Sequence, residues 1–362
     1  MLVRRLRLAN LRSRRSLEVE LGRGLTVLAG PNGAGKTTVL EAAALVLQGS
    51  LLRPGTVRDL INRSEDFLRV EIDLEEAGVT VTAAAAFSRE GERRLTATGA
   101  LLQDSSRWRD TMPVRTFVPD DLRLIKGSPR RRREYLDALA GRCDPAHPGT
   151  LRRYEEALAQ RNMLLRTVRA AGEGQFAPWE KILAQTGLAV SRARAATLAS
   201  FVACFQQTHA DLTGDPVDSL RLVYRTNVAD LDEEGYEERL AQTRGADQQR
   251  TYTHVGPHRD DLRLLRRGLD VRDCASQGEQ RTAVLALVLA EWQSLCSSPR
   301  EPLLLLDDVM SELDEDRRRA LVALVQRGGQ TVITTTDLRY FSPDELQEAV
   351  VVELSVDRCG DG

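Results

Sequence analysis

Hydrophobic positions along this chain alternate first in short strand-like runs. Val3–Leu8, Leu17–Leu21 and Leu25–Leu28 read as strands, with Gly22-Arg23-Gly24 as the clearest break. Gly35–Leu47 follows as a helix, rich in Ala and Leu behind a glycine-rich start. Leu68–Leu74 and Val79–Phe87 predict a hairpin around Glu75–Gly78, and Val114–Val118 a further strand closed by Pro119. From Pro129 to about Gly245 the period becomes helical, and strand character is confined to Leu220–Tyr224. Leu151, Tyr154, Leu158, Leu165 and Val168 mark one helix; Trp179, Ile182, Leu183, Val190, Leu198, Phe201 and Phe205 mark a longer one. Gly172-Glu173-Gly174 and Phe176-Ala177-Pro178 are expected to separate the two. Strands return at Asp261–Leu265 and Leu269–Arg272. A helix at Gly278–Leu295, the strand Leu303–Leu306, a helix at Asp316–Arg327 and a strand at Gln330–Thr335 complete the order. A continuous apolar run such as Leu303–Leu306 suits a strand buried on both faces of a parallel sheet. The expected fold class is α/β, with mixed and parallel sheets and helices, carrying an inserted α-helical arm. The expected division is 1–128 with 246–362 as a split sheet-based domain and 129–245 as the arm.

The 362 residues are enough for a proper core without disulfides or metals. The 51 Lys plus Arg against 53 Asp plus Glu exclude a uniformly basic coat, though not a local basic patch. Lysine occurs only at Lys36, Lys126 and Lys181, so nearly all positive charge is arginine. Where a lysine survives, its compact ammonium can be needed in a way guanidinium cannot supply. The start, Met1-Leu2-Val3-Arg4-Arg5, lacks the apolar core of a secretory signal. The longest apolar stretch, Ala283–Ala290, and the run Leu303–Leu306 both fall short of the roughly 20 residues that span a bilayer. Cys143, Cys204, Cys274, Cys296 and Cys359 are scattered and form no C-x-x-C pair, so free thiols in a reducing cytoplasm are expected.

Gly30-Pro31-Asn32-Gly33-Ala34-Gly35-Lys36-Thr37 matches G-x-x-x-x-G-K-[ST] in full, between an apolar strand and a helix. Glycines let backbone N–H groups turn inward around phosphate oxygens, and the helix N-terminus adds partial positive charge. Lys36 is then expected on the β and γ phosphates and the Thr37 hydroxyl on Mg²⁺. Leu303-Leu304-Leu305-Leu306-Asp307-Asp308 is an apolar strand ending in carboxylates, the Walker B arrangement. Asp307 is the expected Mg²⁺ ligand, and Asp308 occupies the position of a general base or water-orienting residue.

Two further strings narrow the class. Ser276-Gln277-Gly278-Glu279 precedes a helix, and Ser311-Glu312-Leu313-Asp314 follows the Walker B strand. Taken together the motifs resemble those of ABC-type ATPases, with Ser276–Glu279 in the signature position, in the S-G-G-E form of SMC-type heads with Gln277 replacing one Gly. Ser311 and Asp314 stand in the D-loop. The resemblance implies an ABC-type P-loop ATPase head that dimerises face to face. ATP bound at one subunit's P-loop would be capped in trans by Ser276, Gln277, Gly278 and Glu279 of the other. Two departures point to slow hydrolysis, a switch rather than a motor: Asp308 stands where Glu is usual, and Thr334-Thr335-Thr336-Asp337 where a switch His is usual.

Lys36 and Ser276 are separated by more than 200 residues, most of the excess being the helical arm. That spacing is similar to SMC-like heads, but the arm is far too short for an SMC coiled coil. With Asn10-Leu11-Arg12-Ser13, Phe117-Val118-Pro119-Asp120-Asp121-Leu122, Ile125-Lys126-Gly127 and Gly256-Pro257-His258-Arg259-Asp260-Asp261-Leu262, the chain resembles the bacterial RecF family nearly end to end. The resemblance implies ATP and Mg²⁺ as cofactors and adds Arg12 and Thr38 to the ATP-binding set. It implies a weak, DNA-stimulated ATPase that dimerises on double-stranded DNA or single/double-strand junctions. Its implied role is in recombinational repair and fork maintenance, where RecO and RecR are partners in loading RecA at gapped DNA. A cytoplasmic, nucleoid-associated protein without a membrane partner is implied too.

The residues alone say less about DNA. Residues 1–15 hold six Arg and no acid, and Lys126 with Arg130, Arg131, Arg132 and Arg133 forms a second basic cluster. Such clusters can contact phosphates, which positions a duplex without reading it. Pairing with nearby acids is the competing reading. His258 is a ligand-supporting residue, a γ-phosphate sensor in place of the switch His, or part of a structural turn, and it stays outside the catalytic set. Two other functions are weighed: an SMC-like head of another DNA-repair system and the energy subunit of a transporter. The helical arm, the long motif separation, Asp308 and Thr336 argue against the transporter.

Overall fold

The computed structural model describes residues 1–98, 100–101, 113–167, 173–296 and 301–356. Its strands are β1 (Leu2–Leu11), β2 (Arg14–Glu20), β3 (Leu25–Ala29), β4 (Phe67–Glu76), β5 (Val79–Ser88), β6 (Arg93–Ala97), β7 (Ala100–Leu101), β8 (Val114–Phe117), β9 (Leu220–Arg225), β10 (Asp261–Arg266), β11 (Leu269–Asp270), β12 (Leu303–Leu306), β13 (Thr331–Thr335) and β14 (Val350–Glu353). Two compact units form. One contains Met1–Asp121, Gln207–Asp215 and Arg281–Gly362, the other Leu122–Gln206 and Pro216–Gln280. Val168, Gly172 and Cys359 lie outside the described residues.

The first unit stacks two sheets on the helix α1 (Lys36–Leu47). One sheet is antiparallel, in the order β2-β1-β4-β5-β6-β7. Along β4 the inward positions Leu68, Val70, Ile72 and Leu74 are fully buried, as period-2 alternation requires. The other sheet runs β14-β3-β13-β12-β8 with every neighbour parallel. Leu303–Leu306 lies between β8 and β13, paired on both sides, and all four leucines are buried with none alternating outward. Leu40 and Leu45 of α1 share one core with β1, β4 and β5 on one side and Leu303, Leu305 and Val332 on the other. The side chain of Gln330, wholly buried, bonds both the N–H and the C=O of Val3 and the carbonyl of Gly22. That makes a polar tie between the sheets without an orphaned amide.

The second unit packs helices Pro129–Cys143, His147–Thr167 and Glu233–Arg250, with the Glu173–Thr213 helix as far as Gln206, beside a three-stranded antiparallel sheet, β11-β10-β9. The part of the long helix beyond Gln206 belongs to the first unit. Tyr154, Leu183, Leu188, Val190, Tyr236 and Leu240 form the second unit's core. A buried ionic cluster crosses that core. Arg161, fully buried, donates to Glu180, Asp247, Thr253 and the Leu240 carbonyl.

Three expectations change here. The expected return to the sheet-based domain at 246 differs from the observed division, which keeps residues through Gln280 in the second unit. The physical reason is pairing: β10 runs antiparallel to β9 over six register pairs, Asp261↔Arg225 to Arg266↔Leu220. The strand expected over Leu269–Arg272 stops at Asp270, whose side chain accepts from Arg272 N–H and caps a helical turn, Val271–Cys274. Phe176-Ala177-Pro178 does not break the chain, because Pro178 lies inside the Glu173–Thr213 helix, near its start. There proline forfeits one intrahelical bond, to the Gly174 carbonyl. That helix is long and apolar enough to cross a membrane by length and composition. Its apolar residues Leu183, Ala184 and Val190 are instead buried in the unit's own core, and Arg194 is fixed by Asp137.

Candidate functional site

Gly30–Thr37 forms the turn between β3 and α1, all within the first unit. Gly33 and Gly35 hold φ of 83° and 81°, the left-handed region that glycine enters without penalty. The Leu354 carbonyl occupies the place a Cβ on Gly30 would need. Lys36 begins the helix, and its Nζ donates to the carbonyls of Gly30 and Pro31 at 2.5 and 3.0 Å, across the mouth of the loop. Burial pushes its pKa down from the ordinary lysine value, while the Asp308 and Asp307 carboxylates oppose the shift.

β12 ends beside β13, and that adjacency sets the two acids. The Thr37 hydroxyl donates to the Asp307 carboxylate, 2.9 and 3.0 Å from its two oxygens. Thr334 on β13 donates to Asp307 Oδ1 at 2.9 Å and accepts from the Asp308 N–H at 2.8 Å. One threonine thereby orients both acidic residues. Asp308 sits at φ 49°, and its Oδ1 is buried without a hydrogen-bond partner among the described residues. Arg53 lies 3.6 Å from Asp307 Oδ2.

These groups line a cavity of about 410 Å³, within the range of small-ligand sites. Its wall includes Arg12, Asn32, Gly33, Ala34, Gly35, Lys36, Thr37 and Thr38, with Asp307, Asp308 and Thr336 opposite. Of that wall, Arg12, Asn32–Thr38, Asp307 and Asp308 are the residues the sequence singles out for nucleotide chemistry, and Thr334 and Thr336 come from the run that stands in place of a switch His. Arg53 and Glu41 carry no motif that would single them out. Glu41, buried on α1, takes both forks of Arg12 at 3.0 and 2.6 Å. Thr37 and Asp307 supply hard oxygen donors side by side, and such a pair suits Mg²⁺ completed by phosphate oxygens and water. Among the described residues no group of three or more His, Cys, Asp or Glu could make an all-protein metal cage.

The remaining predicted residues lie elsewhere. In the second unit Ser276 and Glu279 form a capping box at the start of the Gln277–Cys296 helix. Ser276 N–H donates to Glu279 Oε2 at 2.8 Å, and Glu279 N–H to Ser276 Oγ at 3.3 Å. The Ser276 N–H, aided by Arg266, holds the Glu279 carboxyl below its ordinary value. Ser276 and Gln277 leave the helix N-terminus open to solvent within its unit. In the first unit Ser311 donates to the Asp308 carbonyl at 3.0 Å, and Asp314 caps the Glu315–Gln326 helix through Arg317 N–H.

The basic clusters are largely answered. Along β1, Arg4 pairs with Glu75, Arg5 with Glu20 and Arg7 with Asp73, so cross-strand acids consume the N-terminal charge. Arg14 is buried and bonds backbone carbonyls. In the second cluster, Arg132 turns inward to a bidentate pair with Asp261 at 2.6 and 3.2 Å, and Arg133 donates to the Asp260 carbonyl. Arg132 and Arg133 thus follow the competing reading, pairing with acids and backbone of their own unit. Arg130 remains exposed in an i,i+4 pair with Glu134, a contact of small energy. His258 is held on both nitrogens, by Tyr154 OH at 2.6 Å and the Thr253 carbonyl at 2.8 Å. Burial lowers its pKa to about 4, so it is a neutral strut of the second unit.

The family described as RecF/RecN/SMC N terminal domain matches residues 2–354. The DNA replication and repair protein RecF of Heliobacterium modesticaldum is 35% identical over 98% of this chain and 97% of its own length. That of Symbiobacterium thermophilum is 36% identical over 92% and 91%. A solved structure of the recombination mediator protein RecF-ATP in the RecFOR pathway superposes with a TM-score of 0.79. It is 27% identical and covers 94% of this chain and 93% of that one. An SMC head bound to the C-winged helix domain of ScpA shares the fold at a TM-score of 0.57 and 16% identity, over 93% and 90%.

Proposed function

The chain belongs to the RecF family of DNA replication and repair proteins, and from that premise we propose that it is an ATP-operated, DNA-binding switch of recombinational repair. The observation that carries the nucleotide half is the Thr37–Asp307 contact, which joins residues 270 positions apart at the mouth of a phosphate-binding loop. Gly30–Thr38 with Arg12 binds ATP. Thr37 and Asp307 hold Mg²⁺, which neutralises phosphate charge when bound, and Asp308 orients or deprotonates the attacking water.

The loop's N–H groups and Lys36 bind the phosphates and fix their direction. Thr334 keeps Asp307 and Asp308 in place, so little reorganisation is needed when charge develops. Ser276, Gln277, Gly278 and Glu279 cap the γ-phosphate of a second copy, with the exposed N-terminus of their helix as donor. Ser311 and Asp314 follow the acids as the D-loop. ATP then joins two copies, and slow hydrolysis parts them. The DNA partner is double-stranded or junctional, the protein partners are RecR and RecO, and the setting is the cytoplasm and nucleoid. The family and the RecFOR pathway of its structural neighbour support this reading.

The test is size-exclusion chromatography with light scattering, with ATP or ADP and with or without duplex DNA. Wild-type protein should dimerise with ATP and not with ADP, and Ser276→Arg should bind ATP yet stay monomeric. ATP-dependent dimers of Ser276→Arg would refute the capping role. For DNA, Arg130→Gln with Arg131→Gln should reduce the salt slope of binding by about one to two phosphate contacts. An unchanged slope reassigns both residues to the solvated helix face.

A further inference from the structure

Arg14 stands outside every nucleotide motif, yet it is only 4% exposed. Its guanidinium donates to the Ala34 carbonyl at 2.5 Å and to the Ser355 carbonyl. Ala34 lies within the phosphate loop, and Ser355 just beyond β14. A trans peptide unit is planar, so its C=O and the following N–H point in opposite directions. Holding the Ala34 carbonyl from behind therefore aims the Gly35 N–H the other way, and Gly35 lines the cavity. The packing is close: a Cβ on Gly35 would lie 2.8 Å from Arg14 Nε. The far anchor is fixed as well, since Leu354 N–H donates to the Ala29 carbonyl at 2.7 Å, at the end of β3.

We propose that Arg14 is a positioning residue for the nucleotide phosphates: by tying the Ala34 carbonyl to the segment after β14, it fixes the Gly35 N–H toward the cavity and sets polyphosphate affinity. This rests on the reading of the cavity as an ATP site. Arg14 touches the loop rather than the ligand, so its effect falls on binding. The same N–H serves phosphates that ATP and ADP share, so both nucleotides depend on it alike.

The experiment is equilibrium dialysis of Mg·ATP and of ADP, with steady-state hydrolysis, on wild type, Arg14→Met, Arg14→Lys and Lys36→Ala. Arg14→Met should bind ATP and ADP roughly ten- to a hundredfold more weakly, the effect of losing charge-assisted bonds. The loss should be carried chiefly by KM, and Arg14→Lys should recover part of it, because an ammonium can still reach a carbonyl. A loss below threefold in folded Arg14→Met overturns the proposal, as does a fall in kcat with KM unchanged. If Arg14→Met does not fold, Arg14→Gln decides by the same threefold criterion. Wild type that binds no ATP removes the site reading itself. Wild-type binding that Lys36→Ala abolishes and Arg14→Met leaves intact removes only the role of Arg14.

Discussion

Lys36→Ala is expected to abolish tight ATP binding, with an affinity loss on the order of a hundred- to ten-thousandfold. The size follows from two charge-assisted contacts, to the β and γ phosphates, each worth about 1.5–3 kcal/mol, at tenfold per 1.4 kcal/mol. Lys36 Nζ spans the Gly30 and Pro31 carbonyls at the loop mouth, so a phosphate can take its place on the ammonium without a rebuilt backbone. The same geometry keeps the variant folded. Gly30 is half-buried and Pro31 exposed, so neither belongs to the core, and the helix after them is held by Leu40 and Leu45. Removing an ammonium whose charged form burial disfavours costs the fold little. Equilibrium dialysis with Mg·ATP, alongside thermal melting, checks both halves. Micromolar ATP binding by Lys36→Ala would sink the nucleotide assignment. A collapse in melting temperature would show instead that the lysine supports the loop's structure.

The site was legible where chemistry needs a contiguous string. Gly30–Thr37 must be consecutive because one turn wraps one phosphate, and Leu303–Asp308 because a buried strand must deliver its carboxylates at its end. Groups that act through tertiary contact left no such trace. Thr334 orients Asp307 and Asp308 from the next strand, 26 residues beyond Asp308, and reads as one threonine among several. Arg14 sits in a run of arginines that looks like a DNA patch, and only burial separates it from exposed Arg15. The cross-strand acids that answer Arg4, Arg5 and Arg7 come from β2 and β4, so local charge counting overstated the patch. In the fold, strong alternation gave β4. The edge strand β14 was missed because Val350 and Val351 are exposed and their pairing with β3 is set across the sheet. The boundary near 246 moved because sequence pattern identifies β10 as a strand but not β9 as its partner.

Asp308→Asn should lower kcat for ATP hydrolysis by about a hundred- to ten-thousandfold, the usual worth of general acid–base help, while leaving ATP affinity within about threefold. Asparagine matches aspartate in shape, and both tolerate the left-handed φ of 49° found here, so the backbone turn survives. The Asp308 N–H to Thr334 bond, at 2.8 Å, survives too, because it is made by the main chain. What changes is the buried Oδ1, which has no protein partner among the described residues, on a residue that lines the cavity where a water would stand. An amide there cannot accept a proton. Asp307, the proposed Mg²⁺ ligand, keeps its bonds from Thr37 and Thr334. If hydrolysis is what parts the ATP-joined dimer, Asp308→Asn should also prolong it, and dimer lifetime by light scattering should lengthen with the fall in kcat. Turnover within threefold of wild type would remove Asp308 from the chemical step. A long-lived dimer with unchanged turnover would uncouple hydrolysis from release and break the switch at that link.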